Sequence, residues 1–309
     1  MADIFDLAAT NLLSPVILSF VLGLVAALGR SDLSVPEAAA KAMSIYLLFA
    51  IGFKGGAAVA SNGLDATLVA TLVAGFVLSA VLPFIAFAML RVLTNLSRID
   101  AAAVAGHYGS ISIVTFVAAT SVLEGRAISS EGYMVAVAAV MEAPAILSAL
   151  WLVSRGGSGR RMDSELMREI MLNGSIVLLV GAFVIGAITG QEGLDKVSNF
   201  IVAPFTGVLC LFLLDMGLVA GRGLRESRGV LNMGAVAFGI IMPLVGSVFG
   251  LGAGLLIGLS PGGIALLMVL SASASYIAVP AAMRVALPEA NPSVYLTLSL
   301  GVTFPFNLT

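Results

Sequence analysis

Three serines and a tyrosine alternate in the stretch Ser271-Ala-Ser-Ala-Ser-Tyr276, which lies in a long apolar run and precedes Pro280. A hydroxyl in hydrocarbon needs a hydrogen-bond partner, and backbone released from a helix there must line a cavity or be covered by protein. Hydroxyls and freed backbone groups can hold a small solute or ion without covalent chemistry. The stretch therefore predicts one wall of a solute site at mid-membrane depth.

A second polar stretch, Ala105-Gly-His-Tyr-Gly-Ser-Ile-Ser-Ile-Val-Thr115, has two glycines around His107-Tyr108 and then three hydroxyls. Glycine permits unusual backbone angles, so this pattern predicts a helix that unwinds within the membrane. Amides at the start of a half-helix favour an anion, whereas freed carbonyls favour a cation. The alternative is that the small residues serve helix packing and the hydroxyls bond to the preceding turn. Recurrence of the pattern in both stretches favours the site.

Glu142 and Asp215 fall deep inside apolar segments, and Lys54 lies near the outer end of another. A charge at the bilayer centre costs roughly 2.5–3.5 kcal/mol on insertion scales, so such residues are candidates for function. The alternative is a structural ion pair of Lys54 with Asp215 or Glu142. Glu142 has the stronger case for function because Pro144, which breaks the helical hydrogen-bond ladder, follows it closely.

The composition is that of an integral membrane protein, with 60% hydrophobic and 10% charged residues among 309. Soluble domains carry roughly 25% charged residues. A net charge of -2 gives no indication of nucleic-acid binding, and one cysteine with one histidine, His107, argues against a disulfide framework or a zinc site. We interpret His107 as a structural group. Neither a Gly-x-Ser-x-Gly nor a His-Glu-x-x-His motif is present, so we expect no enzyme.

Ten segments are long and apolar enough to span a bilayer, which requires about 20 residues. They are 12–29, 36–60, 65–90, 101–123, 131–154, 170–190, 198–221, 229–257, 261–286 and 292–309. With the N-terminus outside, the loops on the opposite side hold eleven arginines: Arg30, Arg91, Arg98, Arg155, Arg160, Arg161, Arg168, Arg222, Arg225, Arg228 and Arg284. The other side holds only Arg126 and Lys196, so the positive-inside rule predicts this orientation in the inner (plasma) membrane.

A polar linker, residues 155–169, divides the chain into two halves of five segments, 1–154 and 170–309. An offset of 161 residues places Ser110 on Ser271, Ser112 on Ser273, Thr115 on Tyr276, Glu142 on Thr303 and Pro144 on Pro305. An offset of 165 relates Leu48–Gly56 to Phe212–Gly221. Because five is odd, the second half must run inverted. The sequence therefore predicts an all-α membrane protein with two inverted five-helix repeats, whose broken helices cross at the midplane.

Glycines at 246, 250, 254 and 258 recur every four residues in the eighth segment. This spacing predicts close helix packing and no role in the site.

The chain resembles the sodium-dependent bicarbonate transporter family, the cyanobacterial-type permeases and their proteobacterial relatives. The motifs behind this are Ile51-Gly-Phe-Lys-Gly-Gly56, His107-Tyr-Gly-Ser-Ile-Ser112, Met141-Glu-Ala-Pro144, Ser273-Ala-Ser-Tyr-Ile-Ala-Val-Pro280 and Pro288-Glu-Ala-Asn-Pro292. The resemblance implies core and gate domains formed from both halves, a trimer, elevator-like movement of the core, and Na⁺ and bicarbonate bound between the broken helices. Whether the family's nucleotide-sensing regulatory partner docks on the short 155–168 loop stays open.

By this resemblance the anion is held by Gly109, Ser110, Ile111, Ser112, Ser271, Ala272 and Ser273, and the coupling ion by Thr115, Glu142, Ser275 and Tyr276. The cyanobacterial members have aspartate at the positions of Glu142 and Tyr276, so coupling to Na⁺ or to H⁺ is left open. Na⁺ is the only cofactor expected. We predict a secondary transporter of a small anion, most simply Na⁺-coupled bicarbonate uptake. The alternatives are a transporter of a small carboxylate and a non-transporting solute sensor.

Overall fold

All regular secondary structure in the described residues is helical. The computed structural model describes residues 13–62, 65–154, 168, 172, 174–226, 232–276, 279–280, 283 and 287–308. The helices are α1 Pro15–Leu28, α2 Glu37–Asn62, α3 Ala66–Leu93, α4 Arg98–Gly109, α5 Ile113–Gly125, α6 Met134–Val140, α7 Ala143–Ser154, α8 Gly174–Ile201, α9 Phe205–Glu226, α10 Met233–Ile257, α11 Pro261–Ala272, α12 Pro292–Leu296, a π-helical stretch Thr297–Thr303, and α13 Phe304–Leu308. Apart from Arg168, the predicted linker 155–169 lies outside these residues.

Several helices begin where a short polar side chain caps the first turn. The capping residues are Ser14, Asp65, Ser97, Asn232 and Ser260, each accepting a hydrogen bond from an amide three residues on. Such caps satisfy amides that the helix itself leaves without a partner. The apolar runs therefore become helices with defined starting points.

In the part of the chain that the structure describes, seven helices or helix pairs are long and apolar enough to cross a membrane: α2, α3, α4–α5, α6–α7, α8, α9 and α10. Two more, α1 and α11, are apolar but shorter. Each of the ten predicted segments overlaps at least one helix. The chain is thus a multi-pass membrane protein. Its centre is α4–α5, which is 94% buried within the molecule over its most apolar window, whereas α8 is 17% buried.

The predicted boundary at residue 190 coincides with an interruption of the helix, whereas the predicted start of the next segment at residue 198 does not fit. Helix α8 bends at Gly190, whose φ is 61°, and then continues to Ile201. Polar residues after the bend resemble a loop in the sequence, but they pair at helical spacing. The Lys196 ammonium lies 2.7 Å from Glu192 Oε1, four residues earlier. The seventh segment accordingly starts later, at Phe205.

Helices of the two halves pack pairwise, α2 along α8 and α1 along α9. In α2, a Cβ at Gly52 would lie 2.6 Å from Leu179 O, and one at Gly56 would collide with Phe183 O. Glycine therefore lets the two backbones touch.

Helices α1 and α9 meet in the same way, because Gly217 and Gly221 of α9 lie against the backbone of α1. These two glycines are the residues that the offset of 165 pairs with Gly52 and Gly56. Both glycine pairs thus place one half of the chain in backbone contact with the other.

The spaced glycines of α10 confirm close packing at three of four positions. Gly246 and Gly250 lie against the carbonyls of Ser271 and Leu267, and Gly254 packs on Ile264. Gly258 does not pack against another helix. Its φ of 81° ends α10 in the left-handed conformation, so its role is that of a C-terminal cap.

Candidate functional site

Two helix breaks, one in each half, are joined by hydrogen bonds. The first break separates α4 from α5, and the second follows α11. The amide of Ser112 donates to Ser273 Oγ at 2.9 Å, and the amide of Ser275 donates to the carbonyl of His107 at 2.8 Å. Ser112 Oγ donates to the Tyr276 hydroxyl at 3.1 Å. We call residues 109–112 with 271–276 the crossing.

Most predicted hydroxyls of the crossing already have protein partners. Ser112 Oγ caps α5 by accepting from the amide and the hydroxyl of Thr115, at 3.1 and 2.8 Å. Ser273 Oγ donates to Leu270 O at 2.9 Å while accepting from Ser112. Ser275 Oγ accepts from the Val279 amide at 3.4 Å. These side chains hold the two breaks in shape.

Two serines differ from the rest. Ser110 and Ser271 are 1% and 2% exposed, and neither hydroxyl has a hydrogen-bond partner among the described residues. They are also the pair that the offset of 161 relates to one another. A buried hydroxyl without a partner costs about 1–3 kcal/mol, so both serines are candidates for contact with a solute.

The remaining predicted anion residues shape the crossing by packing. A Cβ at Gly109 would collide with the ring of Pro83 in α3, so α4 approaches α3 closely here. Ile111 is buried, and the carbonyl of Ala272 accepts from Asn307 Nδ2 at 3.0 Å. Their contribution to a site is the position of the backbone.

The electrostatics of the crossing come from helix ends alone. No Lys, Arg, Asp or Glu occurs in 109–115 or 271–276. Helix α5 begins here with the amides of Ile113 and Val114, which belong to the first turn and lack intrahelical acceptors. Helices α4 and α11 end here with their carbonyls. Amides attract an anion and carbonyls a cation, so the crossing offers groups for both.

The family model of the Na⁺-dependent bicarbonate transporter superfamily matches residues 15–309, which include the crossing and all of the helices above. The chain belongs to this superfamily. A comparison with curated proteins finds none that matches it. Membership agrees with the multi-pass fold and implies a small anionic substrate.

In this superfamily member, Glu142 lies in the turn between α6 and α7. Ser79 of α3 bridges that turn, since Ser79 Oγ donates to Met141 O at 2.6 Å and accepts from the Ala145 amide at 3.2 Å. Glu142 is 4% exposed, and its Oε2 has no hydrogen-bond partner. Among the described residues no hydrogen bond joins it to the crossing. The structure thus brings Thr115, Ser275 and Tyr276 together, but not Glu142 with them by direct contact.

The position that the offset of 161 pairs with Glu142 is Thr303, whose contacts the sequence did not predict. Thr303 Oγ1 donates to Gly239 O at 2.7 Å and lies 2.6 Å from the Tyr108 hydroxyl. Gly239 O is available because Pro243, four residues on in α10, has no N–H to donate. A proline inside an apolar segment was the signal that could have indicated this contact.

The side chains of His107 and Lys54 each lie against an aromatic ring. The ring of His107 stacks on Tyr295 at 4.4 Å, and its Nδ1 lies 2.7 Å from Ala103 O. Both contacts agree with a structural role for the ring. The predicted alternative of an ion pair for Lys54 is wrong. No carboxylate of the described residues lies within 4.0 Å of its ammonium, which sits 5.7 Å from the centre of the Phe205 ring.

Proposed function

We propose that this superfamily member is a secondary active transporter that takes up bicarbonate together with Na⁺. The observation that carries the proposal is the pair of buried hydroxyls without partners, Ser110 and Ser271, at equivalent positions of the two halves. Membership in a superfamily of Na⁺-dependent bicarbonate transporters supplies the substrate class.

Hydrogen-bond donors at the crossing support an anionic substrate. Ser112 Oγ accepts twice from Thr115 and gives its own proton to Tyr276, so the Tyr276 hydroxyl keeps a proton to donate elsewhere. With Ser110 and Ser271 this makes three hydroxyl donors, and the first amides of α5 add two more. Bicarbonate is compact, carries three oxygens and can accept several such bonds. This assigns Tyr276 to the anion rather than to the coupling ion.

Oxygen acceptors on the opposite helix ends support a cation next to the anion. The carbonyl ends of α4 and α11 are neutral ligands of the kind that hard cations accept. A bound Na⁺ would place a positive charge beside the anion and complete its site, which couples the two gradients. Glu142 contributes a buried carboxyl group that can carry the coupling charge or a proton.

The arrangement of the halves supports an inverted repeat with a moving core. Glycine pairs at matching positions bring α2 against α8 and α1 against α9, as two inverted copies would. In the proposed mechanism, the crossing with α3 and α10 moves against those four helices. We further propose an inner-membrane location with the N-terminus outside, and a homotrimer.

Uptake by proteoliposomes tests the proposal. An inward Na⁺ gradient is expected to drive accumulation of labelled bicarbonate. An inward H⁺ gradient tests the alternative coupling ion, and labelled formate and acetate test the alternative carboxylate substrates. Vesicles without protein and vesicles with a Na⁺ ionophore are the controls. If binding is measurable but no gradient drives uptake of any of these anions, the protein is a sensor and the transporter proposal fails.

Replacing Glu142 by glutamine is expected to abolish gradient-driven accumulation while leaving exchange of bicarbonate across the membrane intact. Glutamine keeps the shape and hydrogen bonding of the side chain but can neither ionise nor release a proton. The measurement compares accumulation with counterflow in the same vesicles. Glu192→Gln, at a carboxylate whose side chain is 83% exposed, is the matched control. Unchanged accumulation in Glu142→Gln would remove this residue from coupling.

A further inference from the structure

A cavity of about 420 Å³ lies apart from the crossing, between α2, α5 and the start of α9. Its polar lining consists of one lysine, two glutamates and several hydroxyls. They are Lys54, Glu124, Glu131, Thr120, Ser121, Ser129, Ser130 and Thr206. Neither the superfamily assignment nor the crossing accounts for this cavity.

Lys54 is the only Lys or Arg in the lining of this cavity. Its side chain is half-buried, and no carboxylate of the described residues forms an ion pair with it. The nearby ring of Phe205 stabilises the ammonium but does not neutralise it. An ammonium group without an ion-pair partner can donate charge-assisted hydrogen bonds to an anion.

The fold does not require a lysine at this position. The offset of 165 that pairs Gly52 with Gly217 pairs Lys54 with Val219, an apolar residue. The two glycines that follow Lys54 hold its backbone in place. Gly56 lies against α8, and a Cβ at Gly55 would lie 2.6 Å from Val135 of α6. The lysine is thus an addition to one half, placed where α2 meets two other helices.

The two carboxylates of the cavity keep their negative charge, so the described lining is net negative, but neither is paired with Lys54. Glu131 caps α11, with its Oε1 accepting from the Ser260 amide at 2.7 Å and its Oε2 from the Ser260 hydroxyl at 3.0 Å. Glu124 is exposed at the last turn of α5 and makes no ion pair with a described residue. One positive group therefore remains available on the cavity wall.

Helix α5 connects this cavity to the crossing. Its first residues cap and complete the crossing, whereas Phe116, Val117 and Thr120, within the next two turns, line the cavity. The cavity and the crossing therefore lie along the same helix.

We propose that Lys54 forms a second anion site, which binds a small oxyanion such as bicarbonate or a short carboxylate before it reaches the crossing. The inference rests on the proposed function and adds to it the residue that recruits the substrate. In the orientation proposed above, the cavity lies on the outer side of the membrane.

The test measures initial rates of labelled bicarbonate uptake against concentration. Lys54→Gln is expected to raise the half-saturating concentration on the order of ten-fold, the effect of one charge-assisted hydrogen bond, with the maximal rate retained. Lys54→Arg is expected to keep the wild-type value. Glu124→Gln, which removes a negative charge from the same cavity, is expected to lower it. The matched control is Lys196→Gln, at an exposed lysine.

The inference is overturned if Lys54→Gln transports bicarbonate with the half-saturating concentration of the wild type. It is also overturned if this variant changes only the maximal rate. If Lys54→Gln does not fold, Lys54→Arg and Glu124→Gln still test the inference. A higher half-saturating concentration in Glu124→Gln than in the wild type contradicts an anion site in this cavity. If the wild type transports nothing, the proposed function fails. Stabilisation of the detergent-solubilised protein by bicarbonate against heating, compared between wild type and Lys54→Gln, then tests the site by itself.

Discussion

Replacing Ser271 by alanine is expected to raise the half-saturating concentration of bicarbonate by roughly ten-fold to a hundred-fold. The Ser271 hydroxyl is buried and has no partner among the described residues, so its proton is available to the substrate. Loss of one hydrogen bond to a charged partner costs about 1.5–3 kcal/mol, which corresponds to this change in affinity. The measurement is uptake against bicarbonate concentration in proteoliposomes, and Ser110→Ala is expected to behave alike.

The substrate-free protein provides an independent check on the Ser271 prediction. Because Ser271→Ala removes no hydrogen bond within the protein, its thermal stability without bicarbonate is expected to equal or exceed that of the wild type. Ser299→Ala is the matched control, since that buried hydroxyl donates to Tyr295 O at 2.7 Å. The control is expected to lose stability and keep its affinity. A Ser271 variant that is less stable but binds bicarbonate normally would place this serine outside the site.

Replacing Gly56 by alanine is expected to destabilise the protein by about 3 kcal/mol, enough to leave little folded material after solubilisation. The added methyl group would collide with Phe183 O and lie 2.6 Å from the Ala187 amide nitrogen, both in the backbone of α8. Backbone cannot move aside as a flexible side chain can, so α2 and α8 must separate. The measurement is the thermal unfolding midpoint in detergent, together with size-exclusion chromatography.

The same substitution at Gly181 of α8 is the control for Gly56. Nothing lies within 4 Å of the Cβ that would be added there. Alanine at that position is expected to stabilise the helix by about 0.5–1 kcal/mol, because glycine loses more backbone freedom on folding. Equal stability of the two variants would contradict backbone contact between α2 and α8.

The sequence was sufficient to locate the two helix breaks. Clustered hydroxyls are unusual inside apolar runs, and a helix ends at each of the two stretches that carry them. The offset of 161 also identified residues that meet, since Ser112 and Ser273 are hydrogen-bonded to one another. Local composition determines where a membrane helix can unwind, so this part of the fold was predictable.

The sequence could not predict which hydroxyls of the crossing would lack a hydrogen-bond partner. Ser271 and Ser273 are two residues apart in the same apolar setting, yet one has no partner and the other bonds to Ser112 and Leu270. The difference depends on which backbone groups the other half of the chain brings near. The sequence therefore predicted Ser273 as an anion ligand, although its side chain serves the crossing itself.

The end of α8 shows a limit of a different kind. Hydropathy detects the membrane-embedded part of a helix, and the polar residues after Gly190 do lie outside the apolar segment. It cannot show that the chain stays helical there, where pairs such as Glu192 with Lys196 stabilise further turns. Boundaries inferred from hydropathy alone therefore show where the chain leaves the apolar environment, and not where a helix ends.

The three hydrogen bonds of the crossing bear on the direction of transport. They tie α4 and α5 to residues 273–276, so that the donors and acceptors around Ser110 and Ser271 keep one arrangement as long as the bonds persist. A carrier that moves such a unit intact presents the same chemistry to each side of the membrane. It then has no preferred direction of its own, and the ion gradients alone determine whether the solute enters or leaves.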